Sequence, residues 1–542
     1  MQSTMMPVPL STQMILRHGA RIHGDSEIST FDGRGFSTST LRQLLPRIES
    51  LAAALAALGV STGARVASLC WNHQQHLEAY FAVPSMGAVL HTLNLRLFSH
   101  QLAQIVNHAE DKVLIADRSL WPLVKELLSH CPTIASVVFV NGVPADYTGP
   151  AAYGYEELLA AHNAAFEWPA LDENAAAVLC YTTGTTGDPK GVAYSHRTIF
   201  LHTLGTLGVD TFGINQTDRI LLLPSMFHAN AWGLPFSAWF SGADLLLPAT
   251  HTKATDIRAI VGLKKPTFTA MVPTLINDLL QSDRLEPLDM SSFRVLVSGG
   301  SAVSPALIRA VWERWAVPVL QGWGMTETSP MCVTSIPPRD CAPEQRFHYR
   351  AKSGRPVPGV EVRLRDAAGA AVPEDGVATG ELQLRGPWIT GRYFKNASPE
   401  SFTADGWLRT GDAGNIDARG YVQITDRLKD VIKSGGEWIS SVELENTLML
   451  HASVFEAAVI GIPDPRWEER PLILVVPRPN HSVNAAELRV FLVDKVARFW
   501  LPENWAFLSS LPKTSVGKID KAALRRLHAN GEIVVLRVRE GG

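Results

Sequence analysis

Apolar residues recur at two spacings along this chain, and the change of spacing divides it. Leu41, Leu44, Leu45, Ile48, Leu51, Leu55 and Leu58 fall mostly three or four apart and predict one amphipathic helix, which Gly59 can end. Up to about residue 350, helical patterns alternate with short apolar runs bounded by Gly or Pro. Arg65–Cys70, Val113–Ala116, Ile220–Pro224 and Arg294–Ser298 are examples. Such runs predict strands buried on both faces, and hence α/β layers. Between about residues 355 and 427 the spacing becomes two. Glu361–Arg365, Gly380–Arg385 and Tyr421–Thr425 predict half-exposed antiparallel strands. After Arg427 the pattern changes again. One helix that Ser440 can cap, with Glu443 at the third position, precedes strands at Ala457–Gly461 and Leu472–Val476. A second helix is expected from Asn484, carrying Leu488, Phe491, Leu492, Val496 and Phe499 on one face. The stretch is long enough for a separate small α+β domain, so domains 1–426 and 427–542 are expected.

Composition narrows the class. A chain of 542 residues exceeds one hydrophobic core, and 46% hydrophobic with 19% charged residues suits a globular protein. Lys+Arg 49 against Asp+Glu 52 leaves a net charge of −3, so no global basic field exists to hold nucleic acid. The five cysteines (Cys70, Cys131, Cys180, Cys332, Cys341) are scattered without a C-x-x-C pair. They fit a reducing compartment and argue against a disulfide framework or a cysteine zinc site. The first residues lack a basic head followed by an apolar core, and no run approaches the roughly 18 apolar residues that cross a bilayer. A cytoplasmic protein without an integral membrane segment is expected; peripheral membrane contact and a homodimer stay open.

The candidate chemistry begins at residues 181–191, Tyr-Thr-Thr-Gly-Thr-Thr-Gly-Asp-Pro-Lys-Gly, directly behind the apolar segment Ala176–Cys180. Glycines let backbone N–H groups approach an anion, threonine hydroxyls add donors, and Lys190 adds charge. That combination reads as a phosphate cradle, with a plain surface loop as the alternative. It is not a P-loop, because Gly184 and Gly187 are too close and Gly191 follows Lys190; nor is it the G-x-G-x-x-G of dinucleotide sites.

The order of residues in this run resembles the signature of the adenylate-forming superfamily, which includes acyl-CoA synthetases, luciferases and peptide-synthetase adenylation domains. Four further blocks match in the expected order: Gln321–Thr328, Gly406–Asp412, Thr425–Ile439 and Pro512–Lys518. Met226–Pro235 and Ser434–Ser441 are most similar to medium- and long-chain fatty acyl-CoA synthetases. The resemblance implies an α/β fold: a large multi-lobed N-terminal domain, with two α/β sheet layers and a distorted β-barrel, and a small mobile C-terminal domain. It implies an ATP-dependent fatty acid–CoA ligase that works through an acyl-adenylate with ATP, Mg²⁺ and coenzyme A. A ligase for a short thioether acid such as 3-methylmercaptopropionate, an acyl-AMP ligase serving a carrier protein, a luciferase-like oxygen-dependent activity and a non-catalytic sensor are the alternatives.

The resemblance implies roles position by position. Thr182, Thr183, Gly184, Thr185, Thr186, Gly187 and Lys190 would hold the β- and γ-phosphates. Gly299, Gly300, Ser301 and Ala302 would wall the adenine pocket, with Trp323 stacking on the base and Gln321, Gly322 and Thr326 beside it. Glu327 with the Thr182 hydroxyl would hold Mg²⁺, a hard cation that takes oxygen ligands. Asp412 would accept the ribose hydroxyls, and Arg427 would touch ribose or phosphate. Lys518 would be the catalytic lysine between carboxylate and α-phosphate, with His228 as the polar handle of the acyl entry. The acyl pocket would comprise His228, Trp232 as a gate, Gly233, Val272, Gly324 and Pro330. Lys429 matches the hinge, and Lys433, Ser434, Gly435, Gly436, Glu437 and Trp438 the path of CoA. Pocket walls that are mainly apolar imply a fatty or similarly apolar carboxylic acid, of a chain length that is not legible.

Overall fold

The computed structural model of the protein describes residues 1–182, 189–301, 303–434, 437–514 and 518–538. The first predicted helix runs Leu41–Ala57. Thr40 Oγ1 accepts from the Gln43 amide at 3.3 Å, and Gln43 Oε1 accepts from the Thr40 amide at 2.8 Å. This reciprocal cap satisfies two donors that a helix start leaves orphaned. Leu41, Leu44, Ile48, Leu51 and Leu55 are buried on one face, and Gly59, at φ +84°, follows the last turn.

Among the described residues the strands form four sheets. One has seven strands, parallel apart from its closing hairpin Ala176–Thr182/Lys190–Ser195. A second has nine strands with a parallel centre that includes Phe268–Met271, Val295–Ser298 and Val319–Trp323. Helices Gln74–Ser85 and Leu234–Ser241 are buried almost all round, as helices enclosed within a large core must be. Phe81 meets Trp239 at 4.4 Å between ring centroids and Phe236 at 5.5 Å. The strand expected at Ile220–Pro224 is shorter, Arg219–Leu221. There the Leu223 amide turns back to the Leu221 carbonyl, and Asn72 Nδ2 takes the carbonyls of Leu222 and Pro224.

Glu361–Arg365, Gly380–Arg385, Leu408–Ile416 and Val422–Arg427 form a third, antiparallel sheet in sequence order. A bridge between Gly354 and Val422 joins it to the segment that feeds the nine-stranded sheet. The fourth sheet is built on the hairpin Val454–Asp464/Glu468–Pro477, with a separate core around Leu448, Val459, Ile473 and Trp505. Ser440 Oγ accepts from the Glu443 amide and caps helix Ser441–Leu448. The second helix is shorter than expected, Ala485–Leu492: Asn484 caps it, but Val493 leaves the helical region at ψ 138°. Val496 and Phe499 therefore lie beyond it, and Phe499 is exposed. Asp426 anchors the junction by accepting from the amides of Arg427 at 2.8 Å and Ser441 at 2.6 Å. No helix among the described residues is long and apolar enough to cross a membrane.

Candidate active site

The site is organised by one glycine turn. Strands Val295–Ser298 and Val319–Trp323 are parallel neighbours, and Gly299 leaves the first in tight contact with the second. A Cβ on Gly299 would lie 2.7 Å from the Gly322 carbonyl oxygen, so no side chain fits. Gly300 follows at φ +81°, a backbone region that favours glycine. Over it meet three side chains from distant parts of the chain. Measured to the position of a Cβ on Gly300, Val272 Cγ1 is 3.6 Å away, Lys518 Cε 3.8 Å and Trp232 Cζ2 3.9 Å. Lys518 comes from the C-terminal segment, so that segment closes over the turn.

The electrostatics follow from enclosure. Burial, and next the positive Arg427, push the Lys518 ammonium down to about 8, against the pull of Asp412 and Glu327. Burial also pushes the His228 imidazole down to about 4, with help from Lys518 and Arg96, so the ring is neutral at pH 7. Residues Ala229, Asn230, Ala231 and Trp232 all have positive φ, between 44° and 60°. Left-handed backbone costs L residues roughly 1–2 kcal/mol each. Just before this stretch Met226 is anchored, its amide donating to Asn72 Oδ1 and its carbonyl accepting from the Tyr80 hydroxyl.

Asp412 lies on strand Leu408–Ile416 and is buried. Arg427 Nε reaches its Oδ1 at 2.7 Å, and Trp323 Nε1 donates to its Oδ2 at 3.0 Å. Desolvation raises its pKa, and Arg427 is the largest opposing influence. A carboxylate has about four acceptor positions, so both oxygens keep capacity for ligand hydroxyls. The indole of Trp323, expected as a stacking surface, thus also fixes Asp412.

Glu327 sits in the 3₁₀ turn Thr326–Thr328 and is buried. The Tyr393 hydroxyl donates to its Oε1 at 2.6 Å. The ring of the same tyrosine lies under Lys190, whose Nζ is 5.0 Å from the ring centroid, and Lys190 pairs with Thr182 across the hairpin. Tyr194 holds the turn from the other side, its hydroxyl donating to the Thr326 carbonyl at 2.6 Å. A chain of contacts therefore runs from Thr182 and Lys190 through Tyr393 to Glu327, and by charge to Lys518, Asp412 and Arg427. Tyr393 is absent from the sequence expectations. It falls in a turn-rich stretch with no periodicity, and only its contacts mark it.

Other expected residues take quieter places. Gln321 Oε1 accepts from the Val303 amide at 3.2 Å, holding the chain beyond the glycine turn. A Cβ on Gly324 would overlap the Pro330 carbonyl oxygen at 1.3 Å, so these two make a wall of bare backbone. Gly233, φ +75°, backs on His202 rather than on Gly300. Ser301 and Lys429 are exposed. The Lys433 amide donates to Glu469, and Ser434 Oγ accepts from Arg470, both on the small domain's own sheet. Strands Ile432–Ser434 and Glu437–Ile439 pair as a hairpin, so Glu437 and Trp438 are placed by their backbone. Thr183, Gly184, Thr185, Thr186, Gly187, Ala302, Gly435 and Gly436 lie outside the described residues.

Known proteins share this arrangement of chain. Residues 16–394 match the AMP-binding enzyme family, and residues 443–518 match the AMP-binding enzyme C-terminal domain. A long-chain-fatty-acid–CoA ligase of Thermus thermophilus is 44% identical over 538 residues, 97% of each chain. A 3-methylmercaptopropionyl-CoA ligase of Ruegeria pomeroyi is 38% identical over 97% of this chain and 98% of its own. The crystal structure of an anthranilate CoA ligase in complex with anthranoyl-AMP matches with a TM-score of 0.88 at 27% identity, over 98% of this chain and 100% of that one. With both family models matched in order, the chain belongs to the AMP-binding enzyme family, the adenylate-forming superfamily.

Proposed function

We propose that the protein is an ATP-dependent carboxylic acid–CoA ligase that forms an acyl-adenylate, releases pyrophosphate and AMP, and takes a medium- or long-chain fatty acid. The observation that carries this reading is Lys518 over the Gly300 turn, within the field of Asp412, Glu327 and Arg427. Carboxylate and nucleotide are both anions, so their approach requires concentrated positive charge in a water-poor site. In the first step a carboxylate oxygen attacks the α-phosphorus, and the bond from that phosphorus to pyrophosphate breaks. Lys518 and Arg427 neutralise the charge that gathers there, while neutral His228 orients the carboxylate without repelling Lys518. Asp412, held from two sides, takes the ribose hydroxyls.

Glu327 and the Thr182 hydroxyl are oxygen donors that would hold Mg²⁺, and when bound it would supply charge neutralisation on the phosphates. Among the described residues no cluster of three His, Cys, Asp or Glu side chains is built to hold a metal. That suits a cation that arrives with the nucleotide. In the second step the CoA sulfur attacks the acyl carbonyl, the bond to AMP breaks, and a thioester forms. For this the small domain turns about Lys429, withdrawing Lys518 and presenting the hairpin that carries Lys433 and Ser434. The free cysteines among the described residues support a reducing, cytoplasmic setting.

A panel of straight-chain acids with ATP and Mg²⁺, with and without CoA, tests this reading by following AMP and thioester. AMP and thioester together are expected. AMP only in the presence of an acyl carrier protein would point to an acyl-AMP ligase, and no AMP with any acid would point to a sensor. A short thioether acid is the second reading, favoured by the 38% identical Ruegeria pomeroyi relative.

A further inference from the structure

Lys518 stands just before helix Lys521–Ala529, and that helix grips the chain on both sides of Lys429. Lys521 and Arg525 lie about one turn apart on it and share a face. Arg525 Nη2 meets Asp430 Oδ1 at 2.6 Å. Lys521 Nζ meets Glu445 Oε1 at 2.8 Å and donates to Ser441 Oγ at 2.5 Å. The Ser441 amide in turn donates to Asp426 Oδ2 at 2.6 Å, and Ser440 Oγ donates to the Thr425 carbonyl at 2.5 Å. Asp426 precedes Lys429 and Asp430 follows it, so a single helix face is tied to the chain before and after that residue.

The Lys521 side chain is only 13% exposed, as is that of Glu445, and Asp426 is buried. Burial pushes the Lys521 ammonium down, yet Glu445 and then Asp426 outweigh it and hold the pKa above its usual value. One cation thus serves two enclosed carboxylates that repel each other. The start of the same helix is also wired to Lys518. Asp520 caps it by accepting from the Ala523 amide, and the Asp520 amide donates to the Pro512 carbonyl. Lys513 and Ile519 form a β-bridge, and the Thr514 amide donates to the Lys518 carbonyl at 2.7 Å. The Lys518 amide donates to Thr514 Oγ1 at 3.2 Å. Lys518 therefore moves with Lys521. Asp426 belongs to the other body: it pairs with Ala413 across two strands, as Arg427 pairs with Asp412.

We propose that Lys521 is a positioning residue for the first step: through Ser441 and Asp426 it fixes the Lys518 loop to the strand that carries Arg427. The proposal rests on the ligase reading and its turn about Lys429. Such a turn carries Asp430, Ser441 and Glu445 along with the helix and leaves Asp426 behind. The link from Lys521 to Asp426 is then the one that opens, whereas Arg525–Asp430 and Lys521–Glu445 persist. Lys521 biases the orientation equilibrium toward adenylation, and the bias goes with its charge.

The test uses the full chain and measures the two steps apart. One assay follows pyrophosphate release from acid and ATP with Mg²⁺; the other follows thioester formation from supplied acyl-AMP and CoA. In Lys521→Gln the first is expected to fall in kcat about tenfold, a population shift within reach of one charge-assisted hydrogen bond, and the second to hold or rise. Ser441→Ala removes a hydroxyl and no charge. It is expected to shift the first step the same way by about threefold, and it decides the outcome where melting curves show that Lys521→Gln has not folded. Arg525→Gln is expected to change both steps by one factor, because its pair turns as a unit. Equal loss of both steps in Lys521→Gln, or loss of neither, overturns the proposal. So does a selective loss of the first step in Arg525→Gln as large as that in Lys521→Gln. Hydrogen exchange without substrates reads the link apart from any chemistry: segments 440–448 and 513–521 are expected to exchange faster together in Lys521→Gln. Faster exchange confined to 440–448 would mean that Lys521 does not reach the Lys518 loop, and overturns the proposal. No pyrophosphate from the wild type with any acid overturns the ligase reading instead, and is visible before any variant is compared.

Discussion

Lys518 shows what surroundings do to one side chain. In solution a lysine holds its proton to about pH 10.4. Enclosed beside Arg427 it holds the proton only to about 8, with Asp412 and Glu327 limiting the fall. The ammonium is thus present below that pH and lost above it. Because kcat/KM reports ionisations of the free enzyme, kcat/KM for adenylation is expected to fall above pH about 8. A pH profile of pyrophosphate release checks this, and a flat profile to pH 9.5 would remove Lys518 from the first step. His228, held near 4, adds no inflection between about pH 5.5 and 7.5. Nothing in the composition of Pro512–Lys518 separates this lysine from a solvated one. Its pKa depends on groups 91 to 191 positions away, so it was legible only through the resemblance of its block.

At the scale of elements, the glycine turn between Val295–Ser298 and Val319–Trp323 is the most sensitive joint. Gly299→Ala would drive a methyl into the Gly322 carbonyl at 2.7 Å, and backbone cannot step aside as a flexible side chain can. A loss of about 1–3 kcal/mol is expected, as for other overpacked sites, together with a fall in adenylation of tenfold or more. Denaturant unfolding and pyrophosphate release measure the two effects, and a fully active, equally stable variant would show that the strands have slack. The periodicity of two across residues 355–427 located Glu361–Arg365 and Gly380–Arg385 with the expected bounds; the strand expected at Tyr421–Thr425 runs Val422–Arg427, and Leu408–Ile416, which carries Asp412, was not expected. Element ends were less legible. The helix after Asn484 stops at Leu492 although apolar residues continue at helical spacing, because spacing records which face is buried and not where backbone dihedrals change. Asn72, far away in sequence, takes up the carbonyls that end the strand at Leu221.

For the molecule as a whole, the decisive fact is that the C-terminal segment closes on the large domain with Lys518 at the Gly300 turn. On the proposed function, that is the orientation for acyl-adenylate formation, and the lysine would leave before thioester formation. Lys518→Ala is therefore expected to abolish pyrophosphate release from acid and ATP while sparing thioester formation from supplied acyl-AMP and CoA. Equal loss of both steps would contradict an exchange of orientations. The amino-acid order alone determined the kinds of element, the five motif blocks and the class of chemistry, because periodicity and motif order are local properties that survive without coordinates. Only the folded chain decided that Tyr393 ties Glu327 to Lys190 and that Trp323 braces Asp412. Those are matters of burial and charge between distant segments, and they come into being only when packing removes the water between them.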